Sequence, residues 1–118
     1  MQLFEVLGIL EADILWEPVD LTLEIEKATA ADLMSDVLTI SPGDELLITG
    51  LTNSQVVLTA EMADLKALVF CRGKRPDQDV VEMARQRAIP LLATKLHMYE
   101  ACARLAMRGL PGTSGTVW

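Results

Sequence analysis

The sequence predicts an α/β fold with a mostly parallel sheet covered by helices on both faces. From about residue 45 onward, three strand–helix units follow one another at intervals of about twenty residues, the pattern of parallel strands joined by crossover helices. The strand runs "ELLITG", "KALVFC" and "IPLLAT" are largely apolar rather than alternating, as strands buried on both sides must be.

The elements follow in chain order. "LFEVLGIL" spaces Leu3, Leu7 and Leu10 along one helical face, and "ADILW" has the apolar character of a short strand. "LTLEIEKA" alternates apolar and polar residues and is expected as an edge strand, "ADLMSDVL" as a short helix, and "SPGDE" as the turn into the repeating part. "ELLITG" ends at Gly50, and the helix after it carries Val56, Ala60 and Ala63 on one face, with Thr52 or Asn53 as its N-cap. After "KALVFC", Pro76 is expected in the first turn of the next helix. Asp77 and Asp79 complement its dipole, and Val80, Ala84 and Ala88 face the core. After "IPLLAT", Thr94 is expected to cap a last helix whose Met98, Cys102 and Leu105 point inward and which Gly109 ends. Residues 1–110 thus form one layered domain. The tail 111–118, "PGTSGTVW", is expected to be flexible unless Val117 and Trp118 dock onto a neighbour.

Bulk composition narrows the function. The 118 residues are 51% hydrophobic, enough for a core without disulfides. No apolar run reaches the roughly 18 to 20 residues of a bilayer helix. The start "MQLFEVLGILEAD" has no basic region and no cleavage signal, so a cytoplasmic location is expected. Cys71 and Cys102 lack metal or redox spacing and read as reduced, buried thiols. With 17 acidic against 10 basic residues and five aromatics, the chain lacks the basic face and stacking platform of a nucleic-acid binder.

Three of the ten basic residues, Arg72, Lys74 and Arg75, nevertheless fall within four positions of "VFCRGKRPDQ". In open parallel sheets, ligands bind in the crevice beyond the carboxyl ends of the strands. Three loops belong there: Thr49, Gly50, Thr52 and Asn53; Arg72, Gly73 and Lys74; and Thr94 with Lys95. Each leads into a helix start, where free N–H groups and the dipole favour an anion. These nine residues form a candidate site for a phosphate or carboxylate. The plainer alternative is that the loops only cap helices and the cations face water.

Catalytic chemistry has little to stand on. "CRGKRPD" lacks the preceding glycine and following Ser/Thr of a P-loop, and there is no GxGxxG or GxSxG. His97 is the only histidine, without partners placed near it by the sequence. Cys71 and Cys102 suit core packing better than nucleophilic work. Asp32 and Asp36 form an i,i+4 acidic pair that suits a helix cap facing water better than a metal. No metal and no cofactor is expected.

Particular words add a resemblance. "DLMSDVL" at 32–38, "LLITG" at 46–50, "TAEM" at 59–62, "RGKRP" at 72–76 and "TK…EAC" at 94–102 resemble the DRTGG-domain family, in order and over residues 1 to 110. The resemblance implies a three-layer α/β/α unit similar to the N-terminal domain of HPr kinase/phosphorylase. It also implies company with CBS domains in regulatory pyrophosphatases, no established catalytic activity and a place at dimer contacts. Stand-alone copies resembling this one tend to be encoded near iron-hydrogenase subunits. The chain departs from the family's naming word: residues 20–31 read "DLTLEIEKATAA", without its arginine or glycine pair.

The expected function is a non-enzymatic regulatory or accessory module, a homodimer working through protein contacts and open to an anionic metabolite. A nucleotide or phosphometabolite sensor is the alternative. An enzyme with a composite inter-subunit site is a third reading.

Overall fold

A computed structural model describes residues 1–114. The first helix, α1 (Leu3–Leu10), is followed by the two-residue strand β1 (Asp13–Ile14). Four strands and four helices then alternate: β2 (Ala28–Ala30), α2 (Met34–Ile40), β3 (Leu46–Thr49), α3 (Ser54–Met62), β4 (Ala67–Phe70), α4 (Gln78–Gln86), β5 (Leu91–Ala93) and α5 (Met98–Met107). The sheet order is β1-β5-β4-β3-β2, with β2 to β5 parallel and β1 antiparallel to β5. All residues of β3, β4 and β5 are buried, as their continuous apolar runs require.

The layers follow from side-chain alternation. Leu47, Leu68, Phe70 and Leu91 point into a core closed by α2, α3 and α4. Leu46, Ile48, Val69 and Leu92 point into a second core closed by α1 and α5. All three crossover helices lie on one face, as connections of a single hand must when strands advance in one direction across a sheet. This is the expected three-layer α/β/α arrangement.

Several local expectations need correction. "LTLEIEKA" is not the edge strand; that place belongs to Ala28–Ala30. Its backbone is drawn to the chain start instead: the N–H groups of Leu3 and Phe4 donate to Leu23 and Leu21, and Ile25 N–H donates to Met1 O. A fourth strand–helix unit, β2–α2, therefore precedes the three expected ones. Ala88 is exposed, because α4 ends at Gln86 and the chain turns through a left-handed Ala88 (φ 57°) to bury Ile89. Pro76 stands outside α4, whose N-cap position is Asp77. Asn53 occupies the N-cap position of α3 but makes no side-chain cap bond. Thr94 does not cap α5, which begins after His97, and its hydroxyl donates to Leu10 O at 2.7 Å. On α5, Ala101 and Leu105 are fully inward, while Met98 and Cys102 are half-buried against the same core.

The segment after α5 is tied to the sheet edge through the described residues: Ala28 N–H donates to Pro111 O at 3.0 Å, and Gly112 bridges Ala28. Val117 and Trp118, on which docking of the tail was expected to turn, lie outside the described residues. Among the described residues, no helix is long and apolar enough to cross a membrane.

Candidate functional site

The four parallel strands deliver four loops to one edge. The expected loops follow β3, β4 and β5; the fourth, after β2, brings Asp32. Sequence reading placed Asp32 at a helix cap, but Leu33 holds that position for α2. The Asp32 carboxylate reaches across to β3, where Oδ1 accepts from Thr49 Oγ1 at 3.0 Å and from Gly50 N–H at 2.8 Å. The chain thus supplies its own anion to the corner where an external one was expected. The only advance signal was an aspartate directly after a short apolar segment.

Arg72 lies over this corner. Its guanidinium is so close to Gly50 that a Cβ built there would stand 2.5 Å from Nη2. Glycine here permits the close approach of Arg72 rather than a special backbone angle, since Gly50 is not among the positive-φ residues. Arg72 and Gly73 are both left-handed (φ 64° and 72°). That double turn aims their N–H groups at the β5 loop, where they donate to Leu96 O at 2.7 Å and Thr94 O at 2.9 Å.

The remaining inner donors are also engaged. Leu51 N–H donates to Thr49 Oγ1, Cys71 N–H to Thr49 O, Lys74 N–H to Cys71 O, Thr94 N–H to Phe70 O and Leu96 N–H to Thr94 Oγ1. These inner donors are therefore spent on neighbouring loops, whereas the starts of α3, α4 and α5 carry no side-chain cap bond. Side-chain charge stands beside these helix starts: Arg72, Lys74 and Lys95 are exposed and form no ion pair among the described residues.

The nine expected residues divide into groups. Thr49, Gly50 and Arg72 meet at the Asp32 corner. Gly73, Thr94 and Lys95 line a separate cleft of about 410 Å³ together with Leu10, Glu11, Asp13, Arg75, Ala93 and Leu96. In that cleft Arg75 is ion-paired with Asp13, and Glu11 with Arg104 at 3.2 Å, which leaves Lys95 as the unpaired cation among its described lining residues. Thr52 and Asn53 stand apart at the start of α3, and Lys74 projects from the β4 loop; none of these three lines the cleft.

Nucleophilic chemistry is disfavoured by the surroundings of the thiols. Burial pushes the Cys71 thiol above its ordinary value, with Arg72 pulling weakly the other way, and its Sγ–H points at Thr49 O at 3.4 Å. Burial also raises the Cys102 thiol, and Cys71 adds to the effect. His97 is exposed at the N-cap position of α5. Among the described residues, no three His, Cys, Asp or Glu side chains gather in a way that could hold a metal ion.

Comparison with known proteins agrees with this architecture. The family model for the DRTGG domain matches residues 5–107. No curated protein matches the sequence. Among solved structures, the chain is similar to the CBS and DRTGG domains of the regulatory region of Clostridium perfringens pyrophosphatase, complexed with its activator diadenosine tetraphosphate. The two share 18% identity with a TM-score of 0.67 over 96% of this chain, which spans 49% of that one.

Proposed function

This chain belongs to the DRTGG domain family, and from that premise we propose that it is a non-enzymatic regulatory or accessory module of the cytoplasm. It works through protein contacts, as a homodimer, and is modulated by an anionic metabolite at the strand-end edge. The observation that supports this best is the state of that edge: inner loop donors spent on neighbouring loops, and Arg72, Lys74 and Lys95 left without ion-pair partners among the described residues. Side-chain cations beside uncapped helix starts suit reversible recognition of an anion. Exposed Leu33, Ile40 and Met62, at 59%, 57% and 71%, offer apolar surface for protein contact. The resemblance to stand-alone copies makes a hydrogenase component one class of partner.

A specific observation favours the sensor alternative. The similar regulatory region carries an activating dinucleotide, and a cleft of about 410 Å³ falls within the usual size of small-molecule sites.

Thermal denaturation with millimolar pyrophosphate, AMP, ATP and diadenosine tetraphosphate tests both. A ligand present at 100 times its Kd stabilises by about 2.7 kcal/mol, a rise of several degrees. The rise should vanish in the Arg72→Ala, Lys95→Ala double variant. Equal responses to pyrophosphate and nucleotides support the anion-modulated module, and a nucleotide preference of about tenfold or more supports the sensor. No rise with any of the four overturns both ligand readings.

A further inference from the structure

We propose that the outer face of α1 and α5, centred on Gly8, is the surface through which two copies of this chain associate. The proposal rests on the homodimer reading above and gives the contact a place. Gly8 lies inside the eight-residue α1, where glycine weakens a helix relative to alanine. Nothing among the described residues accounts for it: a Cβ there would meet none of their atoms within 4 Å, and Gly8 is not among the positive-φ glycines. A glycine without such a reason, on an exposed helix face, suits close approach by another surface.

The surroundings fit such an approach. Two grooves of about 330 and 500 Å³ share Gly8, Ile9 and Arg108. Their apolar rims include Phe4 at 50% and Met107 at 84% exposure.

Charge selects the occupant. Glu5 and Arg108 line the same groove, and neither has an ion-pair partner among the described residues. A two-fold contact places residue i of one copy on residue j of the other and j on i, so this unpaired acid and unpaired base form two cross-subunit pairs. The chain as a whole carries a net charge of -7. Two such chains repel over most of their surface, and a face bearing both signs is where they can meet.

Sedimentation equilibrium on the full chain tests the surface. Wild type should be a dimer at tens of micromolar, and Gly8→Leu should weaken association about tenfold or more. Gly8→Ala should weaken it less while raising the melting temperature of the monomer, measured below the dissociation concentration. Glu5→Arg should weaken the dimer, and combining it with Arg108→Glu should restore it, a rescue that loss of folding would not produce. A monomeric wild type would overturn the dimer reading and this surface together. A dimer indifferent to Gly8→Leu, with no charge-swap rescue, would retain the dimer and overturn this surface alone.

Discussion

Replacing Gly50 with alanine should separate the fold from the strand-end cation. The added Cβ would stand 2.5 Å from Arg72 Nη2, 3.3 Å from Cζ and 3.5 Å from Nε, so one side has to move. Gly50 is held by its N–H bond to Asp32 at 2.8 Å, whereas the Arg72 side chain is exposed and has no ion pair among the described residues. The guanidinium is therefore the part that gives. Alanine can adopt the native backbone here, since φ is not positive, and its restricted unfolded state stabilises by about 0.4–1 kcal/mol. Moving Arg72 to a less favourable rotamer costs about 0.5–1.5 kcal/mol. The two effects nearly cancel, and thermal denaturation without ligand should place the melting temperature within about 4 °C of wild type. Binding should change far more, because a hydrogen bond to a charged group contributes about 1.5–3 kcal/mol, so a pyrophosphate titration should weaken about tenfold or more. Destabilisation above about 2 kcal/mol would show that the backbone moves instead. An intact pyrophosphate response in Gly50→Ala, alongside its loss in Arg72→Ala, would refute the proposed placement of the cation.

Two other perturbations read the interior. Glu45 is fully buried and neither carboxyl oxygen has a hydrogen-bond partner among the described residues; Glu45→Met should raise stability by about 1–3 kcal/mol, and a fall in the urea midpoint would contradict this. The thiols of Cys71 and Cys102 are both raised above the ordinary 9.0. Their contribution is intact below that value and is lost as pH climbs through the raised folded values. Stability should therefore decline on the alkaline side of 9.0, and a Cys71→Ala, Cys102→Ala variant should decline less steeply with pH, whatever its absolute stability.

The repeating half of the fold was legible because β3, β4 and β5 are continuous apolar runs, and only a sheet buried on both faces allows that. The first half was less so. "LTLEIEKA" alternates as a strand should, but Met1–Phe4 takes up its backbone bonds, a long-range choice that local pattern does not encode. The candidate site was legible as a location and not as a chemistry. Topology alone places Gly50, Gly73 and Thr94 at one edge, whereas the engagement of their donors depends on which loop faces which. Asp32 was missed as a member because its partners, Thr49 and Gly50, are 17 and 18 residues away.

The same contacts join the strand-end edge to the proposed association face. Thr94 and Lys95 line the cleft, and the Thr94 hydroxyl holds Leu10 O at 2.7 Å, at the end of α1. Arg104 of α5 binds both Ile9 O and Glu11 at 3.2 Å, so the α1 terminus is gripped from the cleft side and from α5 at once. If an anion in the cleft draws Lys95 inward, the pull reaches the carbonyl end of the helix that carries Gly8 only through the adjacent Thr94 hydroxyl. Coupling free energy is reciprocal: if the anion tightens α1 into the geometry the dimer needs, dimerisation raises anion affinity by the same factor. Measured together, pyrophosphate affinity should then rise with protein concentration across the dissociation range, and Gly8→Leu should hold it at the monomer value. Affinity that stays constant across that range would mean the cleft and the α1–α5 face act independently, even if each performs the role proposed for it.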